Sequence, residues 1–175
     1  MLPFKKILCP TDFSEPACKA IIAATELAQA SGAELILVHV VAPIPALDNA
    51  SGAPAFDLPG YQEELVRSAR LALDERRRRR VPDSVRSRGI VTIGDAAHEV
   101  TRIAEEEGVD LIVIATHGRT GWHLRIFGSV AEKVVRLARC VVLTVPCHPE
   151  SAARLRTPSV AHNGCGALFR EERAH

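Results

Sequence analysis

No apolar run in this sequence approaches the roughly 18 residues that a membrane-spanning helix needs. The opening stretch MLPFKKILCPTD holds no apolar core long enough for a secretory signal. The cysteines (Cys9, Cys18, Cys140, Cys147, Cys165) are odd in number and follow no framework spacing. A reduced, cytoplasmic protein with no membrane partner is therefore expected. Neither sign of charge is in excess: 22 Lys and Arg against 21 Asp and Glu leave a net charge of +1. That removes any global pull toward nucleic acid. Enzyme signatures are missing too. The chain has no G-x-x-x-x-G-K-[ST] loop, no G-x-S-x-G elbow, no protein-kinase set and no S-G-G-x-D-S adenylating loop. No residue stands out as a general base, so no catalytic residue and no metal ligand is assigned.

What is there reads as one globular domain: 175 residues, 47% of them hydrophobic. Four short β-branched runs stand out: KKILCP at 5–10, ELILVHVV at 34–41, DLIVIAT at 110–116 and CVVLTVP at 140–146. Their near-continuous apolar character predicts strands covered on both faces, as in a parallel sheet. VRSRGIVTI at 85–93 has a polar half and predicts a fifth strand at an edge.

Helical segments separate these runs. Ala17, Ile21, Ala24 and Ala28 fall on one helix face, with Ser14 as N-cap, Pro16 in the first turn and Gly32 as the stop. Further helices are expected over Tyr61 to Arg80, Ala96 to Glu107 (N-cap Asp95, stop Gly108) and Val130 to Arg139. Alternating strands and helices predict an α/β, doubly wound, five-stranded parallel sheet. Residues 42–60 read as a long loop, 1–148 as the domain and 149–175 as a polar, mobile tail. The run Arg76 to Arg80 covers every side of a helix end and reads as solvated; no aromatic-rich RNA-binding motif accompanies it. Cys147, His148, His162, Cys165 and His175 lack a tight zinc spacing. His39, inside a strand, is expected to be hydrogen-bonded and structural, and Cys9 a small buried residue.

Two segments carry chemistry at strand ends, where open α/β sheets bind ligands. One is PTDFS, Pro10 to Ser14. The other is ATHGRTGWHLRIFGSVAEK, Ala115 to Lys133. A plain strand-to-helix connection takes about 2–6 residues, and this one is about twice that. Gly118, Gly121 and Gly128 permit close backbone approach, and Arg119 and Arg125 add positive charge. Ser129-Val130-Ala131-Glu132 fits an S-x-x-E capping box, and the same helix start suits a phosphate.

In KKILCPTDFSEPA, LVHVV, GDAAHEVTRIAEEEGVDLIVIATHGRTG and GSVAEKVVRLARCVVLTVP, the chain resembles the universal stress protein family over about residues 4–147. Nucleotide-binding members carry G-x-x-G, nine residues, then G-[ST]. Here Gly118, Gly128 and Ser129 match, and Ala115 replaces the first glycine. Alanine costs little there if φ is negative, and ~1–2 kcal/mol if φ is positive. The resemblance implies a Rossmann-like sheet of order 3-2-1-4-5 with helices on both faces, and ATP, with magnesium, as ligand. It places Asp12 at the ribose or adenine end, counts Pro10 and Thr11 among the nucleotide-binding residues, and sets backbone groups of Val40 at the adenine edge. Ala115, Thr116, His117, Gly118, Arg119 and Gly121 would line the ribose and phosphates, and Gly128, Ser129, Val130 and Ala131 would hold the phosphate tail. It further implies a homodimer through Cys140 to Val145 and a nucleotide-responsive regulator. The alternatives are a stress protein of the same fold that works without nucleotide, through dimerisation and partner contact, and a slow ATPase.

Overall fold

The computed structural model describes residues 4–45, 58–116 and 128–146. In chain order the elements are β1 (Lys6–Pro10), α1 (Glu15–Ser31), β2 (Glu34–Val41), α2 (Leu58–Arg80), β3 (Ser87–Ile93), α3 (Ala96–Glu106), β4 (Leu111–Ala115), α4 (Ser129–Leu137) and β5 (Val141–Val145). All strand pairs are parallel, in the order β3-β2-β1-β4-β5. The doubly wound sheet and its expected order are thus present, with VRSRGIVTI at one edge and CVVLTV at the other.

Strand alternation divides the core. Ile7, Cys9, Leu35, Leu37, Leu111, Val113 and Ala115 pack with α1 and with Leu73 of α2. Leu8, Ile36, Val38, Ile112 and Ile114 pack with α3 and α4 on the opposite face. Both faces of the central strands are dry, which is why their sequences run apolar without alternation. Full burial of each large side chain contributes about 1.5–3 kcal/mol. An aspartate at Ile112 would bury an unpaired charge between β4 and α3 and break the sheet.

Helix limits follow local signals at three ends. Ser14 caps α1, its Oγ accepting from the Ala17 amide at 3.3 Å, and Gly32 ends that helix at φ +69°. Asp95 caps α3 by accepting from the His98 amide at 3.2 Å. The expected face of α1, Ala17, Ile21, Ala24 and Ala28, is buried. One helix start differs from expectation. The N-cap of α4 is Gly128 in an extended conformation, Ser129 is the first helical residue, and no side chain among the described residues caps the helix. The S-x-x-E box is therefore not formed. Glu132 lies one position too far along and pairs instead with Arg136 at 2.7 Å. A tertiary contact sets the register: the Gly128 amide donates to the Thr116 carbonyl at 2.6 Å.

The arginine run also departs from a wholly solvated end. Arg77 and Arg79 pair along the helix with Asp74 and Glu75. Arg76 turns inward, donating from Nη2 to the Phe13 carbonyl at 3.1 Å and from Nη1 to Cys18 Sγ. Among the described residues, no helix is long and apolar enough to cross a membrane.

Candidate functional site

The site begins where two ladders part. β1 pairs with β4 only at Ile7↔Leu111 and Leu8↔Ile112. Beyond those pairs, Cys9 and Pro10 follow β2, whereas Val113 to Ala115 follow β5. The divergence opens a crevice at the carboxyl ends of the strands, at the point where strand order reverses. Its volume is about 320 Å3.

Pro10, Thr11 and Asp12 form one wall, and Val40, Ala115, Thr116, Gly128, Ser129 and Val130 also line the crevice. Residues far apart in sequence thus meet in one place. His117, Gly118, Arg119 and Gly121 lie outside the described residues. Sequence reasoning missed the apolar lining of Ala17, Val38, Ala96, Val100 and Ile114, while Ala131 was expected there. Part of the signal was present: Ile114 sits near the end of β4, and Ala17, Ala96 and Val100 lie in the first turns of α1 and α3, whereas Val38 lies inside β2.

The β1–α1 loop is held from several sides. The Thr11 amide donates to the Val38 carbonyl at 2.8 Å, and Thr11 Oγ1 accepts from the Phe13 amide at 3.1 Å. Asp12 Oδ1 accepts from both the amide (3.0 Å) and the hydroxyl (2.5 Å) of Ser14. The carboxylate is thus fixed at the crevice wall by the residue that caps α1. His39 Nδ1 lies 2.8 Å from the Thr11 carbonyl. A carbonyl only accepts, so Nδ1 carries the proton. The His39 ring also stacks on Phe13 with centroids 4.3 Å apart. His39 is the hydrogen-bonded strand histidine expected from its position.

β2 outruns β1. The β1–β2 pairing ends at Pro10↔Val38, so His39 to Val41 have a strand partner only on the β3 side. The backbone edge of Val40 on the crevice side is left without a β1 partner. On the opposite wall, α4 starts with no side-chain cap among the described residues. First-turn amides of a helix have no intrahelical acceptor, and the helix dipole adds partial positive charge there.

Charged groups near the mouth are paired. Asp95, beside the lining residue Ala96, has its carboxyl held below the usual range, first by the His98 amide and then by Lys133. Burial pushes the Cys9 thiol far up, so it stays protonated and inert under the crevice floor. The assembled chemistry is an apolar slot, an exposed strand edge, a fixed carboxylate and an uncapped helix start. Such a crevice can hold a flat apolar ring, hydroxyl groups and an anion in that order.

A family model described as "Universal stress protein family" matches residues 3–146. The universal stress protein YxiE of Bacillus subtilis is 32% identical over 146 residues, which cover 81% of this chain and 99% of that protein. The solved structure of MJ0577, from Methanocaldococcus jannaschii, superposes with a TM-score of 0.71 at 28% identity. That match covers 83% of this chain and 98% of the other. A universal stress protein solved in complex with cAMP shares the fold at a TM-score of 0.57 and 22% identity, covering 82% of this chain and 98% of that one.

Proposed function

The chain belongs to the universal stress protein family, and from that premise we propose that it binds ATP, with magnesium, in the crevice and acts as a nucleotide-responsive stress regulator. The observation that carries the proposal is the pairing of the Asp12 carboxylate with the uncapped start of α4 across one apolar slot. The base would lie among Val38, Val100 and Ile114, its polar edge on the backbone of Val40. Pro10 and Thr11 shape that wall, and Asp12 would accept from ribose hydroxyls, a task that suits a carboxylate better than phosphate contact does. Thr116, Gly128, Ser129 and Val130 would surround the phosphates, with backbone amides as donors. His117, Gly118, Arg119 and Gly121 join this set through the family motif alone. The cAMP-bound relative shares this fold and holds an adenine nucleotide. A reducing, cytoplasmic setting is part of the same proposal.

Calorimetric titration of magnesium-ATP into the parent and Gly128→Val tests the proposal. Gly128 has φ −73°, so valine fits the backbone while its side chain obstructs the helix start. Affinity should fall at least about ten-fold, or ~1.4 kcal/mol. No binding by the parent at millimolar ATP would leave a regulator that works by dimerisation and partner contact. Phosphate release that disappears with Gly128→Val would instead add a slow ATPase activity.

A further inference from the structure

We propose that the hollow between the last turns of α2 and the β1–α1 loop is a second ligand site, built for a small, multiply charged anion of the phosphate class. The hollow measures about 300 Å3 and is lined by Phe13, Ala72, Glu75, Arg76, Arg79 and Arg80. That volume lies at the lower end for small-molecule sites. Its lining carries three guanidinium groups against one carboxylate.

Helical spacing explains which arginines face it. Arg76, Arg79 and Arg80 stand at i, i+3 and i+4 and share one stripe with Ala72, while Arg77 pairs with Asp74. A merely solvated helix end needs no such stripe turned toward a concavity. Arg76 is preorganised: half-buried, it is fixed by the Phe13 carbonyl and Cys18 Sγ, which engage two of its donors among the described residues. A guanidinium has five donors, and its planar fork matches phosphate oxygens. Arg79 is tied only to Glu75, in a pair whose side chains are 74% and 61% exposed. Such exposed pairs are weak and yield to a stronger anion. Arg80 has no ion-pair partner among the described residues. The carbonyl end of the α2 dipole opposes an anion with about half a charge, less than one of the three arginines supplies.

The hollow's floor is unusual in its own right. Phe13 has φ +65°, the one positive value outside glycine among the described residues. A bulky residue in that region is held there by its surroundings, and such positions concentrate at ligand sites. Here Arg76 holds it by its carbonyl. Asp12 lines the crevice and Phe13 lines the hollow, so consecutive residues of one loop form walls of both.

The test is titration of inorganic pyrophosphate into the full chain carrying Gly128→Val, which removes the start of α4 as a competing anion seat. Saturable binding is expected, weakening as salt is raised. The double variant Arg79→Gln/Arg80→Gln, made in the same background, should lose at least about ten-fold in affinity with an unchanged melting temperature. Arg79→Lys/Arg80→Lys keeps the charge but loses the forks, and should bind less tightly than the arginine parent. Absence of saturation at millimolar pyrophosphate, or equal binding by the parent and either double variant, overturns the proposal. Because the arginines carry the readout, the result stands whether or not ATP occupies the crevice.

Discussion

Ala115 pairs with Val145 at the end of the β4–β5 ladder, and its backbone is ordinary strand. Phe13 alone among the described non-glycine residues has a positive φ. Nothing in the backbone at 115 therefore calls for glycine. Its methyl packs with the α1 side of the core while also lining the crevice. Ala115→Gly should lower stability by about 1 kcal/mol through lost burial and added chain freedom. Denaturant unfolding reads the first effect. Calorimetry should find ATP affinity changed less than about three-fold, well under 1 kcal/mol. A ten-fold tightening would show that the methyl blocks the ligand.

Ser14 and Ser129 both precede or open helices, yet only Ser14 caps one. Ser14→Ala should cost about 1 kcal/mol and take from Asp12 the hydroxyl bond while leaving the backbone amide bond. Ser129→Ala should stay within about 0.5 kcal/mol, as exposed positions without a special role do. Urea midpoints of the two variants would decide the matter, and a larger loss at Ser129 would contradict the observed helix start.

Acid should loosen the amino-terminal rim of the sheet. The Lys6 and Lys5 amides donate to Asp110 and hold its carboxyl below the usual range. Arg88 does the same for Glu107, with help from Lys6. A depressed native pKa means the unfolded chain binds more protons as pH falls. The contribution is full above about pH 5 and is lost as pH drops through and below about 4. Asp110→Asn should therefore cost stability near neutrality, and its difference from the parent should shrink toward about pH 3. A difference that is constant across that range would contradict the mechanism.

β5 closes the sheet on one side with no further strand among the described residues, and Val141 and Leu143 are 59% and 40% exposed. An apolar edge of this kind invites pairing. We propose a homodimer across Cys140 to Val145, with light scattering giving about twice the chain mass of 18.9 kDa. Leu143→Lys should yield the monomer. A parent that is monomeric at micromolar concentration would remove the proposal.

Residues 149–175 contain few large apolar side chains, and the family match stops at residue 146. A chain ending at His148 should melt within a few degrees of the parent. Loss of cooperative unfolding would show that the segment contributes to the core.

The elements were legible wherever neighbouring residues determine them. The β-branched runs, the caps Ser14 and Asp95 and the stop Gly32 all act within a few positions of themselves. The start of α4 was not legible, because Gly128 is positioned by Thr116 rather than by its own neighbours. The crevice residues Pro10, Thr11, Asp12, Val40 and Gly128 could be named from motif and position. Its apolar lining came from five elements, whose meeting depends on where the β1 and β4 ladders separate. The hold of Arg76 on Phe13 spans 63 positions and has no local trace in a run of five arginines.

The 2.6 Å bond between Gly128 and Thr116 ties together the two ends of an eleven-residue span, 117–127. β4 and β5 are already joined by five ladder pairs at that point. Closure therefore belongs to the base and not to the span, and doubling the span's length would cost only about 0.6 kcal/mol. The same logic extends to severed chains. Two polypeptides divided within 117–127 keep every strand pair and both core faces seen among the described residues, and should reassemble as complementary fragments. The length and continuity of this stretch should thus be tolerated by the sheet, while His117, Gly118, Arg119 and Gly121 answer to the ligand proposed for the crevice.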